Sequence, residues 1–291
     1  MAGQFYPDDK DELYEIIHRS FTSSIGPGIF PTRTSLSQGG QKIHRVECLI
    51  VPHAGYVYSG PVAAHSYNIA FNFFQEFREE KRIIVIILGP NHYGIGSGVA
   101  LSEVNTWRTP LGDVNLAKDL GKKLVSSSKI IDSDEVAHSR EHSIEVQVPF
   151  IQAVAGPLIS RISILPISLM LQDMETTSEV SDEIETLYTG EDLPFLIIGS
   201  SDLTHYEPHE KAVKKDHELL AEVEKVSTSS FYNVLQRRNI SACGYGCISA
   251  VMQISGKLNM KRGVLLKYST SGESSGDTSA VVGYSAVHFV P

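Results

Sequence analysis

The strongest constraint in this chain is the alternation of two kinds of hydrophobic segment. Short, nearly continuous apolar runs stand at Val46–Val51, Ile83–Leu88, Ile162–Ile167 and Phe195–Ile198. They are rich in Ile, Val and Leu and are bounded by Gly, Pro or Ser, the signature of strands buried on both faces. Between them lie stretches of helical period: Asp11–Phe21, Pro61–Phe77, Leu116–Val125 and Met174–Tyr188, with a weaker case over Ile144–Val154 where Pro149 interrupts. Glu210–Val226, Ser229–Arg238 and Cys247–Leu258 predict three further helices, and Gly263–Thr270 and Ala280–Val290 two closing strands around a Ser/Gly/Asp-rich connection, Ser271–Ser279. Such alternation predicts an α/β fold, a single three-layer α/β/α domain over residues 1–291 with a mostly parallel central sheet. The Gly/Pro/Ser/Thr-rich Gly26–Gln41 is expected to be a loop, not a linker between domains.

Composition narrows the function. Among 291 residues, 42% are hydrophobic and 20% charged, enough to bury a core. The formal net charge of −9 argues against a general nucleic-acid binder, which needs a basic face. Three cysteines cannot build a secreted disulfide framework, and the chain opens on no basic start followed by an apolar run. No apolar stretch approaches the roughly 18–20 residues of a membrane span. The expectation is a cytoplasmic protein, without nucleic-acid or membrane partners, whose oligomeric state the sequence leaves open. It lacks G-x-x-x-x-G-K-[ST], G-x-S-x-G and a strand-borne G-x-G-x-x-G, so nucleotide binding and serine hydrolysis lack their usual parts.

In open parallel sheets, ligands bind beyond the carboxyl ends of the strands. Three of the four buried runs release the chain there into small-residue loops bearing a histidine: Pro52-His53-Ala54-Gly55-Tyr56, Gly89-Pro90-Asn91-His92-Tyr93 and Gly199-Ser200-Ser201-Asp202-Leu203-Thr204-His205-Tyr206. A lone histidine after a strand is usually a hydrogen-bonding residue. Three that converge, with Asp202 beside the third, point to metal binding or proton transfer. Cys243, just before a predicted helix, is a candidate soft ligand or nucleophile, whereas Cys48 and Cys247 read as core. In Ser139–Glu145, read as a helix start, Glu141 and Glu145 share a face and His142 lies beside Glu145; a solvated face and a substrate-facing cluster are equally good readings. Glu135-x-x-His138 has di-metal helix spacing in a single copy only, and His205/His209 lack the metalloprotease glutamate.

These motifs resemble the Memo family, whose prokaryotic members are called AmmeMemoRadiSam system protein B. The matching residues are Ala2–Pro7, Pro52–Tyr56, Gly89–His92, Trp107–Gly112, Glu141–Glu145, Ser200–Asp202 with His205, and Cys243-Gly244. The resemblance implies a fold similar to class III extradiol dioxygenases, which are non-haem iron enzymes. Carried over, it implies His53, His92 and Cys243 as metal ligands, with Cys243 where those enzymes keep a glutamate. It implies His205 as acid/base catalyst, with Asp202 beside it. Fe(II), Cu or Zn would suit such a set. Glu141, His142, Tyr56 and Tyr93 are expected around the cleft. The implied function is a metal-dependent redox enzyme. The alternatives are a non-catalytic cleft recognising a small molecule or peptide, and a zinc hydrolase. The family name also implies functional association with radical-SAM and AMMECR-type proteins.

Overall fold

The computed structural model describes residues 1–32 and 44–291. Most of the expected loop Gly26–Gln41 lies outside them. The element order is α1 (Lys10–Thr22), β1 (Val46–Val51), α2 (Tyr56–Glu76), β2 (Ile83–Pro90), β3 (Val99–Leu101), β4 (Thr106–Thr109) and β5 (Gly112–Leu116). Then come α3 (Lys118–Ser127), β6 (Ile131–Ser133), α4 (Val148–Ala155), β7 (Ile162–Leu169), α5 (Met174–Thr189), β8 (Phe195–Ser200) and β9 (His205–Glu207). The chain closes with α6 (His209–Glu224), α7 (Thr228–Arg238), α8 (Tyr245–Lys257), β10 (Arg262–Thr270), α9 (Ser271–Ser275) and β11 (Val281–Val290).

The spine of the sheet runs β10-β11-β1-β8-β2-β7-β3-β6. Its four central strands, β1, β8, β2 and β7, are the four continuous apolar runs, and they are mutually parallel. Each is buried at every position. Alternate residues feed two separate cores. Cys48, Ile50, Ile86, Leu88 and Ile197 pack with α5, α7 and α8 on one face. Leu49, Val51, Val85, Ile87 and Ile198 pack with α1, α2 and α4 on the other. Continuous rather than alternating hydrophobicity is the physical consequence of two covered faces.

The margins depart from the parallel pattern. β11 joins β1 antiparallel and carries β10, while β3 joins β7 antiparallel. The sheet is therefore mixed, with a parallel centre. The strands β3–β6 and β9, three to five residues each, are too short to show in the hydrophobic pattern. Two helix boundaries also move. Proline lacks a donor, so it fits best in a first turn. Pro149 does sit there, opening α4 after a 3₁₀ turn at Glu145–Gln147. Pro61, expected to start a helix, lies inside α2, which begins at Tyr56. No helix among the described residues is long and apolar enough to cross a membrane.

Candidate metal centre

The register of the central strands builds the site. Val51 pairs with Ser200, so β1 and β8 leave the sheet side by side. Two residues further on, the His53 backbone N–H donates to Asp202 Oδ1 at 2.8 Å. β2 ends level with β7, Pro90 opposite Leu169, and delivers His92 two residues later. Rings of His53 and His92 meet edge to face, with centroids 5.3 Å apart.

Neighbouring acceptors fix how these imidazoles present themselves. Ser200 Oγ donates its one proton to the Ser143 carbonyl at 2.7 Å and accepts from the Gln147 side-chain amide at 2.8 Å. His53 Nδ1, 2.8 Å from the same oxygen, must therefore be the donor, which leaves Nε2 with its lone pair. His92 Nδ1 lies 2.9 Å from Glu141 Oε1, and a carboxylate can only accept. His205 Nδ1 faces the Ser241 carbonyl at 2.9 Å, again an acceptor alone. All three rings thus carry a proton on Nδ1, so that in the neutral ring the lone pair lies on Nε2, the arrangement that metal-ligating histidines adopt.

Glu141 is the organiser of this arrangement. It is buried, and its two oxygens accept the backbone N–H groups of His92, His142 and Ser143 at 2.7–2.9 Å besides the His92 ring. Burial alone would raise its pKa, but the His92 hydrogen bond and charge with the backbone donors prevail and hold the carboxyl down at about 2. No helix forms across Ser139–Ile144, so Glu141 and Glu145 do not share a helix face. Glu145 instead accepts from Tyr6 Oη at 2.6 Å. His142, expected only around the cleft, joins the centre. Its ring stacks on His92 at 4.6 Å and beneath Phe5 at 4.1 Å. His53, His92 and His142 offer ligand atoms all within 4.8 Å of one another, so this group could hold a metal ion. Local spacing relates His142 only to Glu145; the stack on His92 requires the tertiary fold.

Cys243 arrives from the loop before α8. Its Sγ lies 3.1 Å from the free Nε2 of His53. Burial first, then the Asp202 charge, pushes the thiol far above its ordinary pKa, so without a cation it stays protonated. Burial also drives His53 well below its ordinary value, reinforced by His92, His142 and His205. Asp202 is pushed up to about 6 by burial, against the pull of the His53 N–H and the His205 and His92 charges. Every one of these shifts disfavours charge, and a bound divalent cation would relieve the thiol and carboxyl alike.

Cys243 thus touches His53 but is not part of the His53, His92 and His142 group, and the remaining candidates lie outside that group as well. Tyr56 is buried and its Oη donates to the Val146 carbonyl at 2.5 Å, so it holds the Glu145–Gln147 turn instead of lining open space. Tyr93 is exposed beside His92. Glu135 accepts from Ser102 Oγ and His138 Nε2 faces the Ala100 carbonyl, so that pair is structural. Cys48 and Cys247 are fully buried in the core, as expected.

Comparison with known proteins agrees with this architecture. The family model described as "Memo-like protein" matches residues 1–288. A MEMO1 family protein from Sulfolobus acidocaldarius is 39% identical over 289 residues, covering 99% of this chain and 97% of its own. One from Nitrosopumilus maritimus is 39% identical over 290 residues, covering 100% of this chain and 98% of its own. One from Methanocaldococcus jannaschii is 40% identical over 286 residues, covering 98% and 96%. Among solved structures, an uncharacterized protein from Escherichia coli K12 superposes with a TM-score of 0.53 at 11% identity, over 84% of this chain and 99% of that one. At that identity the likeness is one of fold.

Proposed function

The chain belongs to the Memo-like family, and we propose that its cleft is a metal centre of redox character built on His53, His92 and His142, with Cys243, beside His53, as a further ligand. The observation that carries this reading is the protonation pattern: His53 and His92 commit Nδ1 to buried acceptors and keep Nε2 free within one small space. Imidazole and thiolate together suit Fe(II), Cu or Zn. A redox-active ion there would supply electron transfer to a bound substrate. Around it, this chain's residues bind and move protons. Glu141 orients His92 and His142. Asp202, pushed up to about 6 by burial, and His205, its Nδ1 held by the Ser241 carbonyl, are the acid/base pair.

The test is metal analysis after loading with Fe(II), Cu and Zn in turn. Wild type should take up close to one equivalent of at least one ion, and the His53→Ala/His92→Ala/Cys243→Ala variant almost none, with its fold intact by circular dichroism. Equal metal content in the two proteins would overturn the assignment. A second reading, a recognition cleft without turnover, is supported by the exposed aromatics beside the site histidines: Tyr93 next to His92 and Tyr206, 78% exposed, next to His205.

A further inference from the structure

His53 and His92 follow the ends of central strands, whereas Cys243 comes from the loop between α7 and α8. Two sets of contacts hold it. On one side, its backbone N–H reaches the Asp202 carbonyl at 3.3 Å, and Gly244 N–H donates to Ser201 Oγ at 3.0 Å. On the other side stands Gln172, three residues beyond the end of β7, a strand that bears no site histidine. Its Nε2 donates to the Cys243 carbonyl at 2.9 Å, and its Oε1 accepts the Gly246 N–H at 2.8 Å. One side-chain amide thus closes the turn Cys243–Gly246 at both ends, in the manner of a peptide group. Gln172 is fixed in turn, since Tyr232 Oη donates to its carbonyl at 2.7 Å.

The fit is close enough to dictate sequence. A Cβ on Gly246 would stand 2.7 Å from Gln172 Cβ, and one on Gly244 2.3 Å from the Ser200 carbonyl oxygen. Both distances are shorter than side chains allow, which accounts for the Cys-Gly-Tyr-Gly run. We propose that Gln172 is a positioning residue that holds Cys243 against His53, so that β7, like β1, β2 and β8, contributes a residue to the site. This rests on the reading of the cleft as a metal centre. It adds that the cysteine's place in the donor set depends on an amide outside that set, one that donates at one end and accepts at the other. Glutamate can accept from Gly246 but cannot donate to Cys243, and leucine can do neither.

Two measurements on the full chain test the proposal. The first is the rate at which iodoacetamide labels Cys243 in metal-free protein, followed by mass spectrometry; Cys48 and Cys247 are buried and serve as internal references. Gln172→Leu should label Cys243 about tenfold faster than wild type, the factor that losing one or two hydrogen bonds implies. Gln172→Glu should fall between. The second is loading with Co(II), whose sulfur-to-cobalt charge-transfer absorption reports the thiolate directly. Wild type should show that absorption, and Gln172→Leu should retain cobalt but lose most of it. A folded Gln172→Leu with wild-type labelling and wild-type charge-transfer intensity would overturn the proposal, and Gln172→Glu decides by the same comparison if the leucine variant does not fold. If wild type takes up no cobalt, the metal reading fails, and the labelling rate alone decides the role of Gln172.

Discussion

Glu141 shows how much one buried side chain can organise. It has no solvent to stabilise its charge, so four donors do so, and two of the site's imidazoles are oriented in the process. Replacing it with glutamine keeps the shape but turns one acceptor into a donor facing N–H groups. Glu141→Gln should weaken metal binding by about 10- to 100-fold, the usual cost of losing a ligand's orienting carboxylate, as measured by competition with a chelator. The same residue predicts an acid transition. Its folded pKa of about 2 lies below the ordinary 4.5, so its stabilisation is complete above pH 4.5 and is lost as pH falls towards 2. The loss is about 3 kcal/mol. Urea titrations of the metal-free protein across that window should show a steeper fall for wild type than for Glu141→Gln.

At the scale of elements, the loop after β8 is the busiest segment and depends on α6. Asp216, buried on that helix, accepts the Thr204 N–H at 3.0 Å and its hydroxyl at 2.6 Å, and its other oxygen accepts from Tyr268 Oη on β10 at 2.8 Å. Thr204 precedes His205, so this carboxylate ties the helix, the site loop and the sheet margin together. Asp216→Ala would strand two buried donors of Thr204 and the half-buried Tyr268 hydroxyl. It should lower stability by about 3 kcal/mol or more in urea unfolding, whereas Asp216→Asn, which retains an acceptor, should cost less. The phasing of strand ends is the other element-scale lesson. His53 and Asp202 meet because Val51 and Ser200 are in register, and a one-residue slip would turn every apolar side chain of β1 to the wrong core.

For the whole molecule, one sheet runs through the fold, and both helical layers pack on it. Sequences far apart in the chain are neighbours in space: β11 lies against β1, and Phe5 lies over His142. Thermal unfolding should accordingly be a single transition. A metal present at about 100 times its dissociation constant adds roughly 2.7 kcal/mol to the folded state. That should raise the wild-type transition by about 5 °C in calorimetry. The His53→Ala/His92→Ala/Cys243→Ala variant should show no such rise.

The four central strands, and the histidine-bearing exits of three of them, were legible in the sequence because burial on both faces leaves continuous apolar runs, and the chain must emerge at their carboxyl ends. His53, His92 and the loop of Asp202 and His205 follow from that alone. The antiparallel margins were not legible, since β3–β6 and β9 are only three to five residues long. Nor was the place of His142, because nothing in its local spacing records a stack with His92 and Phe5, residues far away in the chain. The same holds for the tautomers, which Ser143, Ser200, Glu141 and Ser241 decide through contacts that span up to 147 positions of sequence. Periodicity is a local property and determined the core, the layers and the edge at which chemistry can occur. The orientation of each ring is set by single hydrogen-bond acceptors brought from elsewhere, and only the tertiary structure could supply those.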